Sequence, residues 1–133
     1  MRARFDFERV EAFGVAVEAV ALMDELADEL PDRRAYIRDQ LRRAANSVAL
    51  NIAEGAGEFS PEEKERFYRM ARRSATECAG QVVVCRRLGL AEDSRTEEAL
   101  DVLARVVGML VTLIRSCNAR RRLPVRVPSS LTK

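Results

Sequence analysis

Apolar side chains recur at the spacing of α-helices in four segments of the chain. In the first segment, Val10, Phe13, Val17 and Val20 fall on one helical face, and Pro31 marks the end of the pattern. No segment alternates apolar and polar residues with the two-residue period of a β-strand. The pattern therefore predicts an all-α protein with helices over about 7–30, 32–54, 61–88 and 95–117.

The first predicted helix carries more apolar residues than a single buried face requires. A second stripe follows the helical period on the side of the helix away from Val17. Its members are Val15, Ala19, Leu22 and Leu26. We expect one stripe of this helix to face the core, and these four residues to contact a neighbouring subunit.

Two serines are predicted to cap helix N-termini. Ser60 is followed by Pro61 and by Glu63, which is a capping box with proline at the first helical position. Ser94 and Glu97 repeat the capping-box spacing before the fourth helix.

Two glycines are predicted to end helices. Gly55 and Gly89 follow the second and third helical patterns, where a left-handed residue commonly stands.

Phe67 opens the predicted inner stripe of the third helix, and Tyr68 is expected on its outer side. Because the connections are short, the four helices predict an antiparallel up-down-up-down four-helix bundle in residues 1–117.

The composition argues against an enzyme. Histidine is absent from the 133 residues, which removes the usual general base and the usual zinc ligand. Cys78, Cys85 and Cys117 are odd in number and form no CxxC motif, so they are expected to be buried, reduced thiols. We expect no catalytic residue, no cofactor and no metal site.

The sequence also predicts a cytoplasmic protein without membrane contact. The first residues, MRARFDFERVEAF, carry charges where a signal peptide needs an apolar segment. The longest apolar run, VVGMLVTLI at 106–114, is shorter than the roughly 20 residues that span a bilayer.

Charge is distributed unevenly along the chain. Residues 1–32 hold three basic and nine acidic residues, residues 33–88 hold twelve and seven, and residues 89–133 hold eight and five. The basic segments predict contacts with nucleic-acid phosphates once several copies assemble. The candidates are Arg34, Arg38, Arg42, Arg66, Arg69, Arg73, Arg120, Arg121 and Arg122, with Arg33, Arg43 and Arg72 beside them.

The last segment, residues 118–133, has five basic residues, two prolines and no acidic residue. This composition predicts a tail that is disordered or that becomes ordered on a partner. The alternative role for the basic residues is pairing with the acidic first helix at a subunit interface. In that case the protein is a protein-interaction or structural ring without nucleic-acid binding.

Polar residues follow one edge of the second helix and the matching edge of the third. They are Arg43, Ser47, Asn51 and Glu54 on the second, and Arg73, Glu77 and Gln81 on the third, whose inner stripe holds Ser74. Because a carboxylate in a last helical turn opposes the helix dipole, Glu54 is expected to meet an arginine or backbone donors from another helix or another chain.

The spacing of these residues, with the string NIAEG at 51–55 and Ser60 opening a helix, resembles the bacterial four-helix bundle family of the 23S rRNA intervening-sequence protein. The resemblance extends over roughly residues 8–116. The chain departs from the family pattern at Gly57 and Glu58, where a basic residue is usual, and at Arg73-Ser74, where a Gly-Ser pair is usual.

The resemblance implies a pentameric ring of four-helix bundles without enzyme activity. The family is similar to the accessory variability determinant of diversity-generating retroelements, a basic ring that binds nucleic acid and a reverse transcriptase. We therefore predict a non-catalytic homo-oligomeric adaptor with RNA or DNA, and a reverse transcriptase or another protein, as its partners.

Overall fold

The structure, a computed structural model, describes residues 2–122. Its α-helices are α1 (Glu11–Glu29), α2 (Ala35–Gly57), α3 (Pro61–Arg87) and α4 (Asp93–Arg121). Short 3₁₀ helices, Asp6–Arg9 and Asp32–Arg34, precede α1 and α2. No strand occurs in this part of the chain. Each helix packs on its sequence neighbour and α1 also packs on α4, so the predicted antiparallel four-helix bundle is confirmed.

The core combines a few large side chains with many small ones. Met23, Leu26, Leu41, Ile52 and Leu110 are almost completely buried. Alanines from three helices fill the space between them, and small side chains allow helix axes to approach closely. These alanines are Ala16, Ala19, Ala45, Ala71 and Ala75.

The prediction that the second stripe of α1 contacts another subunit is wrong. Val15, Ala19 and Leu26 are buried in the core of the same chain, and Leu22 is half-buried against it. Val17, from the other stripe, is 46% exposed. Both stripes are apolar, so the periodicity could not determine which one the neighbouring helices α2 and α4 would cover.

Two helix boundaries confirm the sequence prediction. The Ser60 hydroxyl accepts a hydrogen bond from the Glu63 N–H at 3.1 Å and caps α3. Gly89 follows α3 with φ of +67°, the left-handed region in which glycine has no steric cost.

Three predictions of local structure are wrong. Ser94 lies inside α4, which begins at Asp93 without a side-chain cap. The α4 helix continues through residues 118–121, where the composition predicts a tail, and residues 123–133 lie outside the described part. Tyr68 is buried and Phe67 is only half-buried, the reverse of the expected order, because the core-facing side of α3 runs through Tyr68, Ala71 and Ala75.

Candidate nucleic-acid interface

Gly55 lies inside α2 rather than beyond its end, and its role is close packing. It is buried and has no left-handed backbone conformation. A Cβ atom at this position would lie 2.8 Å from Cε1 of Tyr68 and 3.1 Å from Cβ of Phe67. Because real Cβ contacts are longer, only glycine allows α3 to approach α2 this closely. This contact is the reason that Tyr68 can enter the core.

The C-terminus of α2 is neutralised by Lys64 from the first turns of α3. Its Nζ donates to the carbonyl oxygens of Ala56 at 2.9 Å and Gly55 at 3.3 Å. A cation at this end of a helix interacts favourably with the helix dipole. Glu54 is exposed and forms no hydrogen bond or ion pair in residues 2–122, so the partner expected from another helix is not found in this part of the chain. Lys64 instead offsets the dipole there.

The polar edges of α2 and α3 meet, as their spacing predicts. The hydroxyls of Ser47 and Ser74 lie 2.8 Å apart. Asn51 Nδ2 donates to the carbonyl oxygen of Ser47 at 2.8 Å and to its Oγ at 3.0 Å. Either serine hydroxyl can be the donor of the bond between them. Two helical turns beyond Ser74 on α3, Gln81 Nε2 donates a hydrogen bond to Gln40 Oε1 of α2.

Glu65, which sequence analysis did not single out, fastens the end of α4 to α3. Its side chain is buried, and its Oε2 accepts from Arg69 Nε at 2.9 Å and from an Arg121 guanidinium nitrogen at 3.4 Å. The hydrogen bond from Arg69, ahead of the attraction to Arg121, lowers the pKa of Glu65 despite the opposing effect of burial. We call Gly55, Lys64, Glu65 and Tyr68 the hairpin corner.

Most of the predicted phosphate-binding arginines already have partners in the chain. Arg42 of α2 pairs with Asp24 at 2.8 Å and Asp28 at 2.5 Å of the acidic α1, and these carboxylates raise the pKa of its guanidinium. The remaining pairs are Arg38 with Asp32, Arg66 with Glu63, Arg69 and Arg121 with Glu65, and Arg34 with the Tyr36 hydroxyl. These arginines contribute to intramolecular pairing, so the set is not one continuous binding surface.

Arg72 and Arg73 differ from this group because they are exposed and have no acidic partner in residues 2–122. They line a shallow cavity of about 500 Å³ on α3 together with Arg69, Thr76 and Glu77. We call Arg69, Arg72, Arg73 and Thr76 the α3 basic surface. The guanidinium groups of Arg72 and Arg73 are donors of the kind that bind phosphate oxygens. Arg69 already donates to Glu65, and the Thr76 hydroxyl already donates to the carbonyl oxygen of Arg72.

The end of α4 extends this surface. Arg121 shares the Glu65 carboxylate with Arg69, which brings the last turn of α4, with the exposed Arg122, beside the first turns of α3. Arg120 is also exposed, but it lies seven residues after Leu113 and therefore on the α1 side of α4. Arg115, which is exposed and is not among the predicted candidates, lies on the same side of α4 as Arg122. It lies six residues before Arg121, about 9 Å along the helix, at the level of the α3 basic surface. Arg115 and Arg122 are seven residues apart in the sequence, and this spacing indicates that they share one side of a helix.

The thiols offer no reactive group. Cys78, Cys85 and Cys117 are buried and unpaired, as predicted. Burial raises the pKa of each, that of Cys78 to about 12, so the nucleophilic thiolate is disfavoured. Residues 2–122 contain no cluster of three or more acidic or cysteine side chains suited to a metal ion. Within the same range, none of the helices combines the length and the apolarity needed to cross a bilayer.

Comparison with known proteins agrees with the fold. The family model for the 23S rRNA-intervening sequence protein matches residues 8–112. Among solved structures, the chain is similar to a protein with unknown function from the S23 ribosomal protein family of Bacteroides thetaiotaomicron, with a TM-score of 0.73 and 16% sequence identity. That similarity covers 78% of this chain and 98% of the other, and at this identity it shows the fold alone. No curated protein matches the chain.

Proposed function

The chain belongs to the 23S rRNA-intervening sequence protein family, and from this premise we propose that it is a non-catalytic, homo-oligomeric adaptor of the cytoplasm that binds the phosphate backbone of nucleic acid. The α3 basic surface carries the proposal, because Arg72 and Arg73 have no acidic partner in the described residues while most other predicted arginines are paired there. In the pentamer that the resemblance implies, five copies of this surface act together.

Binding of this kind is tolerant of sequence. The exposed part of the α3 basic surface contains no aromatic side chain on which a base could stack, since Tyr68 is buried. Guanidinium groups that contact phosphates release counterions, so affinity falls steeply as salt rises. If one subunit contacts about four phosphates, the affinity for duplex DNA falls roughly 100-fold between 50 and 200 mM salt.

The test is fluorescence anisotropy with labelled single-stranded RNA, single-stranded DNA and duplex DNA over this range of salt. Arg72→Glu lowers the affinity for all three probes at low salt and reduces the salt slope by about one. Arg87→Glu is the matched control, because Arg87 is an exposed arginine without an ion pair in residues 2–122 and lies at the other end of α3, about 22 Å from Arg72 along the helix. No binding by the wild-type protein at 50 mM salt, or equal losses from the two variants, contradicts the proposal.

A ring that binds only protein partners is the second candidate. The observation that favours it is the set of large apolar side chains on the surface, among them Leu50 at 62% and Met70 at 40% exposure. The absence of nucleic-acid binding together with a stable oligomer, measured by light scattering, would favour this candidate.

A reverse transcriptase as the protein partner is proposed from the resemblance alone. The genes adjacent to the one that encodes this chain test it first. If a reverse transcriptase gene is present, co-purification of the two proteins is expected. Its absence from the neighbourhood argues for another partner.

A further inference from the structure

The contact between α3 and α4 changes its charge pattern along the bundle. In the half that contains the end of α3, Arg86 pairs with Asp93 and Glu97 of α4, so opposite charges hold the two helices together. In the other half, the end of α4 lies beside the first turns of α3. There, arginines approach the contact from both helices.

Arg72 of α3 and Arg115 of α4 point toward this contact from its two sides. Arg115 lies eighteen residues after Glu97, which is five complete helical turns, so it is on the side of α4 that pairs with α3. Arg72 lies fourteen residues before Arg86, close to four turns, so it is on the side of α3 that pairs with α4. The two arginines therefore stand within about 6 Å of each other in height along the bundle.

The contact at the end of α4 gives the same register. Arg121 contacts Glu65, and Arg115 lies six residues before Arg121, which places it within one turn of Arg72. Arg122 follows on the same side of α4, about 10 Å beyond Arg115. Arg72, Arg115 and Arg122 are exposed and form no ion pair in residues 2–122. We call these three residues the arginine seam.

The arginine seam lacks the carboxylate that joins the helices at the other end of their contact. Like charges on facing helices repel each other and oppose the packing of α3 on α4. Glu65 lies in this half of the contact, but it is buried and already accepts from Arg69 and Arg121. An anion from outside the chain that lies along the seam is attracted from both helices, as Glu97 is attracted by Arg86.

Carboxylates border this region on two sides. Glu77 lines the cavity of the α3 basic surface, and it lies one turn before Gln81, on the side of α3 that contacts α2. Asp101 lies on α4 about four turns before Arg115. Both carboxylates are exposed and form no ion pair in residues 2–122. A polyanion is repelled at these two positions and attracted between them, so charge favours the seam over the α2 side of α3.

The dimensions of the seam fit one strand of nucleic acid. Its guanidinium groups follow one another over at least about 10 Å of the bundle, which suits a chain of phosphates better than a single anion. The axes of packed helices lie about 8–10 Å apart, whereas the major groove of a duplex alone is about 12 Å wide. A duplex is therefore too broad to bring its phosphates between the two helices, and a single strand can lie there with cations on both sides.

We infer that the arginine seam binds the phosphate backbone of single-stranded nucleic acid, with Arg72 on one side of the strand and Arg115 and Arg122 on the other. The inference rests on the proposed function and deepens it, because it names single strands as the preferred ligand. Arg69 adds a cation at the same level, with its Nε held by Glu65. Since the contacts are to phosphates, RNA and DNA strands of any sequence are bound alike.

Fluorescence anisotropy at about 150 mM salt tests the preference. The probes are a short labelled single strand, as RNA and as DNA, and the duplex of each with its complement. The single strands are expected to bind about tenfold more tightly than the duplexes. Arg115→Glu is expected to weaken the binding of the single strands about tenfold and to reduce their salt slope by about one.

Arg105→Glu is the matched control, because it makes the same change of charge in the same helix. Arg105 is exposed and forms no ion pair in residues 2–122. It lies ten residues before Arg115 and is turned by about 80° from it, away from α3. Arg105→Glu is expected to weaken single-strand binding much less than Arg115→Glu does, whereas the two variants are expected to affect the duplexes equally.

Thermal unfolding gives a readout that does not depend on binding. Arg115→Glu places a carboxylate opposite Arg72, so the seam acquires the kind of pair that Arg86 forms with Glu97. This variant is therefore expected to unfold at a temperature about 1–4 °C higher than that of Arg105→Glu. A loss of binding in the more stable of the two variants excludes unfolding as its cause.

The outcomes separate the inference from the proposed function. If the wild type binds neither the single strands nor the duplexes even at about 50 mM salt, the proposed function itself is refuted. Three results overturn the inference alone: duplexes that bind as tightly as single strands, equal losses of single-strand affinity in Arg115→Glu and Arg105→Glu, or an unfolding temperature of Arg115→Glu no higher than that of Arg105→Glu.

Discussion

The hairpin corner, where the first turns of α3 meet α2 and α4, and the α3 basic surface on the next turns of α3 have opposite characters. In the corner, Lys64 and Glu65 find partners in α2 and α4, and Gly55 allows the contact with Tyr68. In the basic surface, Arg72 and Arg73 find no acidic partner within residues 2–122. Residues that are satisfied within the chain stabilise the fold, and charges that are left unsatisfied are available for a partner.

The largest effect is expected at Gly55. Adding one methyl group in Gly55→Ala forces Tyr68 or the α2–α3 contact to move, which should lower the free energy of unfolding by about 1–3 kcal/mol. Gly80→Ala is the control, because Gly80 is an exposed helical glycine with open space around its Cβ. That change should raise the free energy of unfolding by about 0.5–1 kcal/mol. Urea denaturation measures both, and equal signs for the two variants contradict the close-packing role.

A smaller and pH-dependent effect is expected at Glu65. Its pKa is lowered in the folded protein, so its carboxylate contributes stability above the pKa of the unfolded chain, about 4.3, and loses that contribution as pH falls through the folded pKa. Glu65→Gln should lower the free energy of unfolding by about 1 kcal/mol at pH 7. The difference from the wild type should shrink as the pH falls below about 4. If the free energies of unfolding of Glu65→Gln and the wild type differ by the same amount at pH 7 and at pH 3, the charge of Glu65 is not the source of the difference.

The smallest effect on stability is expected from the α3 basic surface. Arg73→Ala should change the free energy of unfolding by less than about 0.5 kcal/mol, because the residue is exposed and has no ion pair in residues 2–122. Arg42→Ala should lower the midpoint of urea unfolding further, since it removes two ion pairs between α2 and α1. If the two variants unfold at the same urea concentration, the division between paired and unpaired arginines has no energetic meaning.

Sequence patterns predicted the local structure well where the signal was local. The Ser60–Glu63 cap was confirmed because its residues are consecutive in the chain, and Gly89 was confirmed for the same reason. The prediction that Gly55 ends a helix was wrong, because glycine is required at this position by the side chain of Tyr68 on another helix. Ser94 matched a capping motif, but α4 starts before it.

The sequence predicted which type of residue forms the candidate site, but it did not predict how these residues are arranged. The sequence showed that arginines concentrate in α2, α3 and the end of α4, but it could not show which of them face carboxylates. Arg42 lies opposite Asp24 only because α1 and α2 are antiparallel in this register. Glu65 gave no signal at all, since its burial and its bond to Arg121 arise where α3 meets α4.

The sequence by itself determined the all-α class, the four helices, their approximate ends and the family to which the chain belongs. The physical reason is that helical periodicity and capping depend on residues within a few positions of each other. Only the tertiary structure decided which stripe of α1 is core, why position 55 is glycine, and which arginines stay unpaired. Each of these depends on the distance between residues far apart in sequence, which is fixed only when the helices pack.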